Sequence, residues 1–301
     1  MKDVWVMESF HRQVLFVYAG FAMLATMLAL ARRWIKPNGN PSDVWKKYPI
    51  YVLLNFAFLA AIWLPHTWHA LSLLLAVIGC CASWELSRAL GLTALEHIGL
   101  PVATAGLILV AEWLEPTSFI KIWLVIMLAA IAASGLAGRH ESLGRRVVGI
   151  AGCLGYLPLC LAAFIWIWQA DTGDFGAVFL YGVIATNDAF AQITGQLVGR
   201  RMLAPDISPG KTLEGAGGGL LFAAVFGASL CSTVGWSYVH GALIGAAVAL
   251  AGLTGDLTVS GWKRALGLKD FSNLLGAHGG VLDRFDALIF AAPIFFLLSG
   301  R

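Results

Sequence analysis

Charge is the scarcest resource in this sequence. Lys, Arg, Asp and Glu make up 12% of its 301 residues, against about 25% in an ordinary soluble domain. A soluble protein of this size cannot cover its surface with so few charged groups. Cysteine is sparse too, with five residues, which excludes a disulfide-stapled secreted domain. Cys80, Cys81, Cys153, Cys160 and Cys231 all lie in apolar runs and form no CxxC pair. They read as small packing residues and not as a zinc site. The net charge of +3 is too small to support a nucleic-acid partner. Hydrophobic residues, by contrast, make up 59% of the chain, and the mean hydropathy is +0.78. That excludes intrinsic disorder and makes the chain a polytopic membrane protein.

A membrane-crossing helix needs about 20 mostly apolar residues. Candidate cores fall at 14–31, 48–64, 67–84, 98–111, 119–136, 147–168, 175–197, 216–235, 237–259 and 281–299. The expected fold is therefore all-α, with 9–10 transmembrane helices and a polar catalytic cavity open to the cytoplasm. With the N-terminus outside, the inner loops hold fifteen of the 20 Lys and Arg residues. Lys2, Arg12, Lys121 and Arg301 remain outside, and Arg284 lies in the last span. This asymmetry is the one that the positive-inside rule predicts. Arg32 and Arg33 follow the first apolar stretch, which suits an uncleaved anchor better than a signal peptide.

Residues 1–170 read as membrane scaffold, with tryptophans near span ends and few buried charges. His66 and His69 are three apart but have no third metal ligand in sight. Residues 171–301 read as the catalytic region, in one functional unit with the scaffold. Asp188 sits mid-span, Asp256 near the inner end of its span, and Asp283, Arg284 and Asp286 enter the last span from inside. Ionisable groups within membrane segments are functional candidates by default.

Two inner loops accompany these carboxylates. The first runs from Gly195 through Gly199, Arg200 and Arg201 to Ser208-Pro209-Gly210-Lys211-Thr212-Leu213-Glu214-Gly215. Its glycines permit close backbone approach to an anion, and its cations neutralise phosphate charge. It is not a Walker A loop, because Pro205 stands where that motif needs glycine. The second carries Ser260, Lys263, Arg264, Lys269, Asp270, His278, Gly279 and Gly280 ahead of Asp283. Asp283 and Asp286 share a helix face, as do Asp256 and Ser260. Carboxylates facing each other across two helices suit Mg²⁺ when phosphates complete its shell. The residues thus point to Mg²⁺-assisted phosphoryl or nucleotidyl transfer to a lipid at the cytoplasmic surface.

The second loop resembles the C-terminal signature of the CDP-diacylglycerol synthase (phosphatidate cytidylyltransferase) family. The match runs through Ser260, Lys263, Arg264, Lys269, Asp270, Ser272, Leu275, Gly276, His278, Gly279, Gly280, Val281, Asp283, Arg284, Phe285 and Asp286, with Trp262 in place of an aliphatic. The family's upstream motif resembles the stretch through Asp188, Phe190, Ala191, Gly195, Gly199 and Arg200, then Ser208, Pro209, Lys211, Thr212, Glu214 and Gly215. Ala189, Gln192 and Gly210 depart from the family's Thr, Tyr and Lys. The likeness is close over 187–290 and reaches the first 170 residues only as a hydrophobic pattern.

The resemblance implies that CTP and phosphatidate yield CDP-diacylglycerol and pyrophosphate. It places the metal carboxylates on Asp256 and Asp283, adds K⁺ beside Mg²⁺, and implies a homodimer in the membrane lipids. Lys263, Arg264, Lys211 and Arg284 are candidate phosphate clamps, and His278 a candidate for orienting a phosphate oxygen. Ser208 and Ser260 are candidate donors to phosphates. Asp188, Thr212, Glu214, Lys269, Asp270, Gly279, Gly280 and Asp286 complete the candidate substrate site. Two alternatives stay open. One is a cytidylyltransferase acting on another lipid phosphate, such as a polyprenyl phosphate or an ether lipid. The other is an ion-coupled transporter, although no second copy of the 256–286 pattern is present.

Overall fold

The computed structural model describes residues 42–136, 143–170, 173–231, 236–276 and 279–299, without the side chains of 42–52, 66, 135, 136 and 173. The first candidate span, 14–31, lies outside the described residues. The other nine each coincide with a helix. These are α1 (Ser42–Trp63), α2 (Ala70–Ala89), α3 (Ala94–Ala111), α4 (Pro116–Leu136), α5 (Leu143–Gln169), α6 (Gly173–Val198), α7 (Leu213–Leu230), α8 (Tyr238–Ala265) and α9 (Leu282–Leu298). Six of the described helices are long and apolar enough to cross a membrane. This is an all-α integral membrane protein.

Burial sorts the helices into layers. The central helix is α5, whose span is 72% buried, whereas that of α4 is only 11% buried. Ile120, Leu124, Val125 and Leu128 of α4 face outward, as lipid-facing residues do. The core is aromatic: Phe164 and Trp168 of α5, Phe179 of α6 and Phe295 of α9 are almost fully enclosed.

Between α7 and α8 the contact is backbone against backbone. A Cβ on Gly241 would lie 2.6 Å from the Gly227 carbonyl oxygen, and one on Gly245 would lie 2.6 Å from that of Ala223. Lipid supplies no hydrophobic drive between helices, so small residues that admit close packing hold such pairs together.

Helix α5 contains one π-helical segment, Ala151–Tyr156, which leaves carbonyls without regular partners. Pro158 also lacks the N–H that would reach the Leu154 carbonyl. Side chains from neighbouring helices fill both gaps. Thr104 Oγ1 donates to the Cys153 carbonyl at 2.7 Å, and Trp123 Nε1 donates to that of Leu154 at 2.7 Å.

One departure from the all-α expectation lies in the first inner loop. Residues 202–212 form a small antiparallel hairpin, β1 (Met202–Ala204) and β2 (Ser208–Thr212), pairing Met202 with Thr212 and Ala204 with Ser208. Pro205-Asp206 is good turn chemistry, and Ile207 N donates to the Ala204 carbonyl at 3.2 Å to close the turn. Thr212 then caps α7 by accepting from Gly215 N at 3.1 Å.

Candidate active site

Three helices and the hairpin converge at one end of the bundle. Helix α6 brings Asp188, α8 brings Asp256, α9 brings Asp286, and β2 brings Lys211. Lys211 Nζ lies 2.5 Å from Asp256 Oδ2, an ion pair rather than an aligned hydrogen bond. Ser260, one turn along α8, donates to the other oxygen of Asp256 at 3.3 Å. Asp188 lies within electrostatic reach of Asp256, Lys211 and Arg284. It also accepts from Asn187 Nδ2 at 3.3 Å and keeps exposed surface. Asp286 is 5% exposed and within electrostatic reach of Asp256, Asp188 and Lys211. Arg284 is exposed on the same helix. Asp256 is thus paired with the Lys211 ammonium, and Asp188 and Asp286 lie within electrostatic reach of both.

A second ion pair flanks this cluster. Lys263 Nζ and Asp283 Oδ1 lie 2.7 Å apart, with side chains only 11% and 4% exposed. The other oxygen of Asp283 accepts from Phe271 N and Gly280 N, each at 3.0 Å. Asp283 is therefore engaged on both oxygens by one ammonium and two backbone N–H groups.

The remaining expected residues divide by what they touch. Arg264 donates to the Ile207 carbonyl of the hairpin and to the Leu268 carbonyl, both at 3.1 Å, so its guanidinium ties hairpin to loop. Glu214 accepts from the backbone N–H groups of Arg200 and Arg201 at 3.0 and 3.2 Å. It fixes the link between α6 and β1 and does not join the acidic cluster. Thr212 acts as a helix cap. Ser208 is half-buried at the start of β2, and Lys269 and Asp270 are exposed on the loop before α9. Gly279 takes a positive φ of 79°, a conformation suited to glycine. His278 lies outside the described residues. At the far end, His69 pairs with Glu112 at 2.7 Å.

One residue of the site escaped the sequence reading. Glu85 of α2, in the segment read as scaffold with few buried charges, is fully buried. Its Oε1 accepts from Ser272 Oγ at 2.5 Å and Val281 N at 2.8 Å, and its Oε2 from Leu282 N at 2.8 Å. The signal was present: Glu85 is the one acidic residue in the 20-residue α2.

The carboxylates at this end are hard oxygen donors, the residue type that could take part in holding a divalent cation. Carboxylate oxygens outnumber the cations beside them, and among the described residues no three His, Cys, Asp or Glu side chains form a ready cage. Mg²⁺ is commonly held that way, by one or two carboxylates completed by substrate phosphates and water.

The chain is similar to several known proteins. Over 145 residues the chain is 42% identical to phosphatidate cytidylyltransferase of Aquifex aeolicus, covering 48% of this chain and 54% of that protein. Over 150 residues it is 37% identical to phosphatidate cytidylyltransferase of Bacillus subtilis, covering 48% and 55%. The chain thus spans about half the length of these two relatives. It is also 28% identical over 205 residues to phosphatidate cytidylyltransferase of Rickettsia bellii, covering 65% of this chain and 88% of that protein. Residues 45–300 match the pattern of the Cytidylyltransferase family. That match takes in every helix from α2 to α9 and both ion pairs of the cluster, and the chain belongs to the cytidylyltransferase family.

Proposed function

We propose that this protein transfers the cytidylyl group of CTP to a lipid phosphate, with phosphatidate as acceptor and CDP-diacylglycerol and pyrophosphate as products. The observation supporting this reading is the convergence of Asp188, Asp256 and Asp286 on Lys211, in a chain of the cytidylyltransferase family. A phosphate oxygen of the lipid attacks the α-phosphorus of CTP. A new P–O bond forms as the bond to the bridging oxygen of the β-phosphate breaks, and pyrophosphate leaves. No protein nucleophile is required. The residues act by positioning and by neutralising charge.

Lys211, Lys263 and Arg284 are the cations placed to bind phosphate oxygens. Arg264 contributes by holding the hairpin against the loop. The resemblance assigns Mg²⁺ to Asp256 and Asp283, with Asp188 and Asp286 as further carboxylates of this end and K⁺ as the monovalent partner it implies. When bound, Mg²⁺ neutralises charge on the phosphate oxygens and on the leaving pyrophosphate. Residues 171–301 supply these groups, and Glu85 comes from within residues 1–170. The distribution of basic residues supports a cytoplasmic face for this end, with the N-terminus outside. CTP then arrives from water and the lipid laterally from the inner leaflet. The assembly that the resemblance implies is a homodimer.

The test is CTP-dependent pyrophosphate release by the purified chain with Mg²⁺ and K⁺. Phosphatidate is compared with no lipid, with a polyprenyl phosphate and with an ether lipid phosphate. Release with phosphatidate, lost in EDTA and restored by Mg²⁺, is expected. Release only with another lipid phosphate keeps the chemistry and reassigns the acceptor. Folded protein that releases none with any acceptor overturns the reading and favours the transporter.

A further inference from the structure

We propose that Glu85, on the second described helix and far in sequence from the acidic cluster, is a positioning residue that sets where α9 presents Asp283 and Asp286. The inference rests on the proposed transfer reaction only for its kinetic readout. Its physical basis is a buried carboxylate whose partners all belong to the signature loop and the start of α9.

Burying an ionised carboxylate is costly unless its oxygens are hydrogen-bonded. Glu85 is 0% exposed, and among the described residues no cation pairs with it. Three donors meet it instead, all from residues 272–282. Val281 N and Leu282 N open α9, where N–H groups have no partner within the helix. The residue that enters α9, Val281, offers no side-chain cap. The cap comes from α2, and a negative group at a helix N-terminus also meets the positive end of the helix dipole.

Gly280 records the same contact from the other side. A Cβ at this position would lie 2.7 Å from each carboxylate oxygen of Glu85. Any other residue at 280 therefore displaces either its own backbone or the carboxylate. The second glycine of the His-Gly-Gly signature makes room for a side chain from a different part of the chain.

Glu85 and Asp283 together brace one loop at both ends. Asp283 accepts from Phe271 N and Gly280 N, and Glu85 accepts from Ser272 Oγ, Val281 N and Leu282 N. Each carboxylate links the start of the loop to its end. Removing the Glu85 brace releases the first turn of α9, and Asp283, Arg284 and Asp286 all follow that turn. Misplacing catalytic groups by about 1 Å costs up to about a hundredfold in rate. The defect should fall on turnover more than on CTP binding, because the phosphate-binding cations Lys211 and Lys263 sit on β2 and α8, outside the released turn.

The decisive variant is Glu85→Gln, which keeps shape but replaces one acceptor oxygen with a donor. One backbone N–H at the start of α9 then faces an NH₂ group. With the full-length purified chain we expect kcat to fall about tenfold to a hundredfold, with KM for CTP changed less than about twofold. Gly280→Ala should give the same split, and the double variant should be no worse than the poorer single one, since both remove one contact. Glu85→Asp should recover part of the lost kcat. Wild-type kcat in folded Glu85→Gln overturns the proposal. So does a loss of kcat only in proportion to lost folded protein, which marks a purely structural role. Amide hydrogen exchange at Val281 and Leu282 reads the cap without turnover. Faster exchange in Glu85→Gln is required, and unchanged protection overturns the proposal even if the wild-type protein proves to catalyse a different reaction.

Discussion

Lys211 on the hairpin stands 2.5 Å from Asp256 on α8, and both lie within electrostatic reach of Asp188 and Asp286. The pair joins two segments separated by the whole of α7. Replacing Lys211 with Met leaves three neighbouring carboxylates with less compensation. It also removes a cation from the proposed phosphate site. Loss of one preorganised electrostatic contact to a developing charge costs about 10²–10³ in kcat. Lys211→Met should fall in that range in the pyrophosphate assay. Adding Asp256→Asn should cost less than the product of the two single effects, because the residues act as a unit.

The pair formed by Lys263 and Asp283 is more enclosed and should separate stability from activity. Breaking a buried pair by removing one partner typically costs about 3–5 kcal/mol, while replacing both partners with apolar groups of similar volume is often neutral. Asp283→Asn should therefore lower the thermal midpoint in detergent and abolish turnover. Combining Lys263→Met with Asp283→Leu should restore much of the midpoint and none of the turnover. If the double variant is as unstable as Asp283→Asn, the backbone N–H groups of Phe271 and Gly280 that Asp283 accepts outweigh the ion pair.

Much of this architecture was legible in the sequence. Nine of the candidate apolar cores became helices because a membrane span must satisfy its own backbone hydrogen bonds, and length with hydropathy reports that need directly. The carboxylates Asp188, Asp256 and Asp286 were visible as charges inside apolar runs. What they would touch was not, since Lys211 meets Asp256 only after α7 folds back along α8. Arg264, Glu214 and Thr212 carry functional residue types but spend them on backbone groups, a distinction that residue type alone does not reveal. Glu85 had the same signal as Asp188, an acid in an apolar helix. It was passed over because its partners are 187 or more positions away. The hairpin at 202–212 lay in a loop read by its glycines and cations, while Pro205-Asp206 held the turn signal.

The glycine contact between α7 and α8 gives a paired prediction with an internal control. At Gly241 a Cβ meets the Gly227 carbonyl oxygen at 2.6 Å and Cys231 Cβ at 2.7 Å. Both obstacles sit close to the main chain and cannot swing away. Gly241→Val should cost about 1–3 kcal/mol or more by overpacking, read as a lower thermal midpoint. Gly217, on the facing helix α7, has open space around the position of a Cβ. Gly217→Ala there should raise the midpoint slightly, by up to about 1 kcal/mol, through helix propensity. Equal effects at both positions would contradict backbone-to-backbone packing.

Tyr156 supplies the sharpest contrast between what a side chain does for the fold and what it does for the reaction. It ends the π-helical segment of α5, a local geometry often found at functional sites. Its ring packs edge-on against Trp262 at 5.6 Å, beside Lys263 in sequence. Its hydroxyl is enclosed, has no hydrogen-bond partner among the described residues, and lies within electrostatic reach of Asp286. A buried hydroxyl without a partner contributes nothing favourable to the folded state, so its removal should be neutral or mildly stabilising. Tyr156→Phe should leave the thermal midpoint unchanged or raise it. If the hydroxyl donates to substrate in the occupied site, the same variant should lower kcat/KM by about fivefold to thirtyfold, the loss of a hydrogen bond worth about 1–2 kcal/mol. Measuring both quantities on one preparation separates the roles. A lower midpoint would mean that the hydroxyl has a partner in the folded protein, and unchanged kcat/KM would remove Tyr156 from the substrate site.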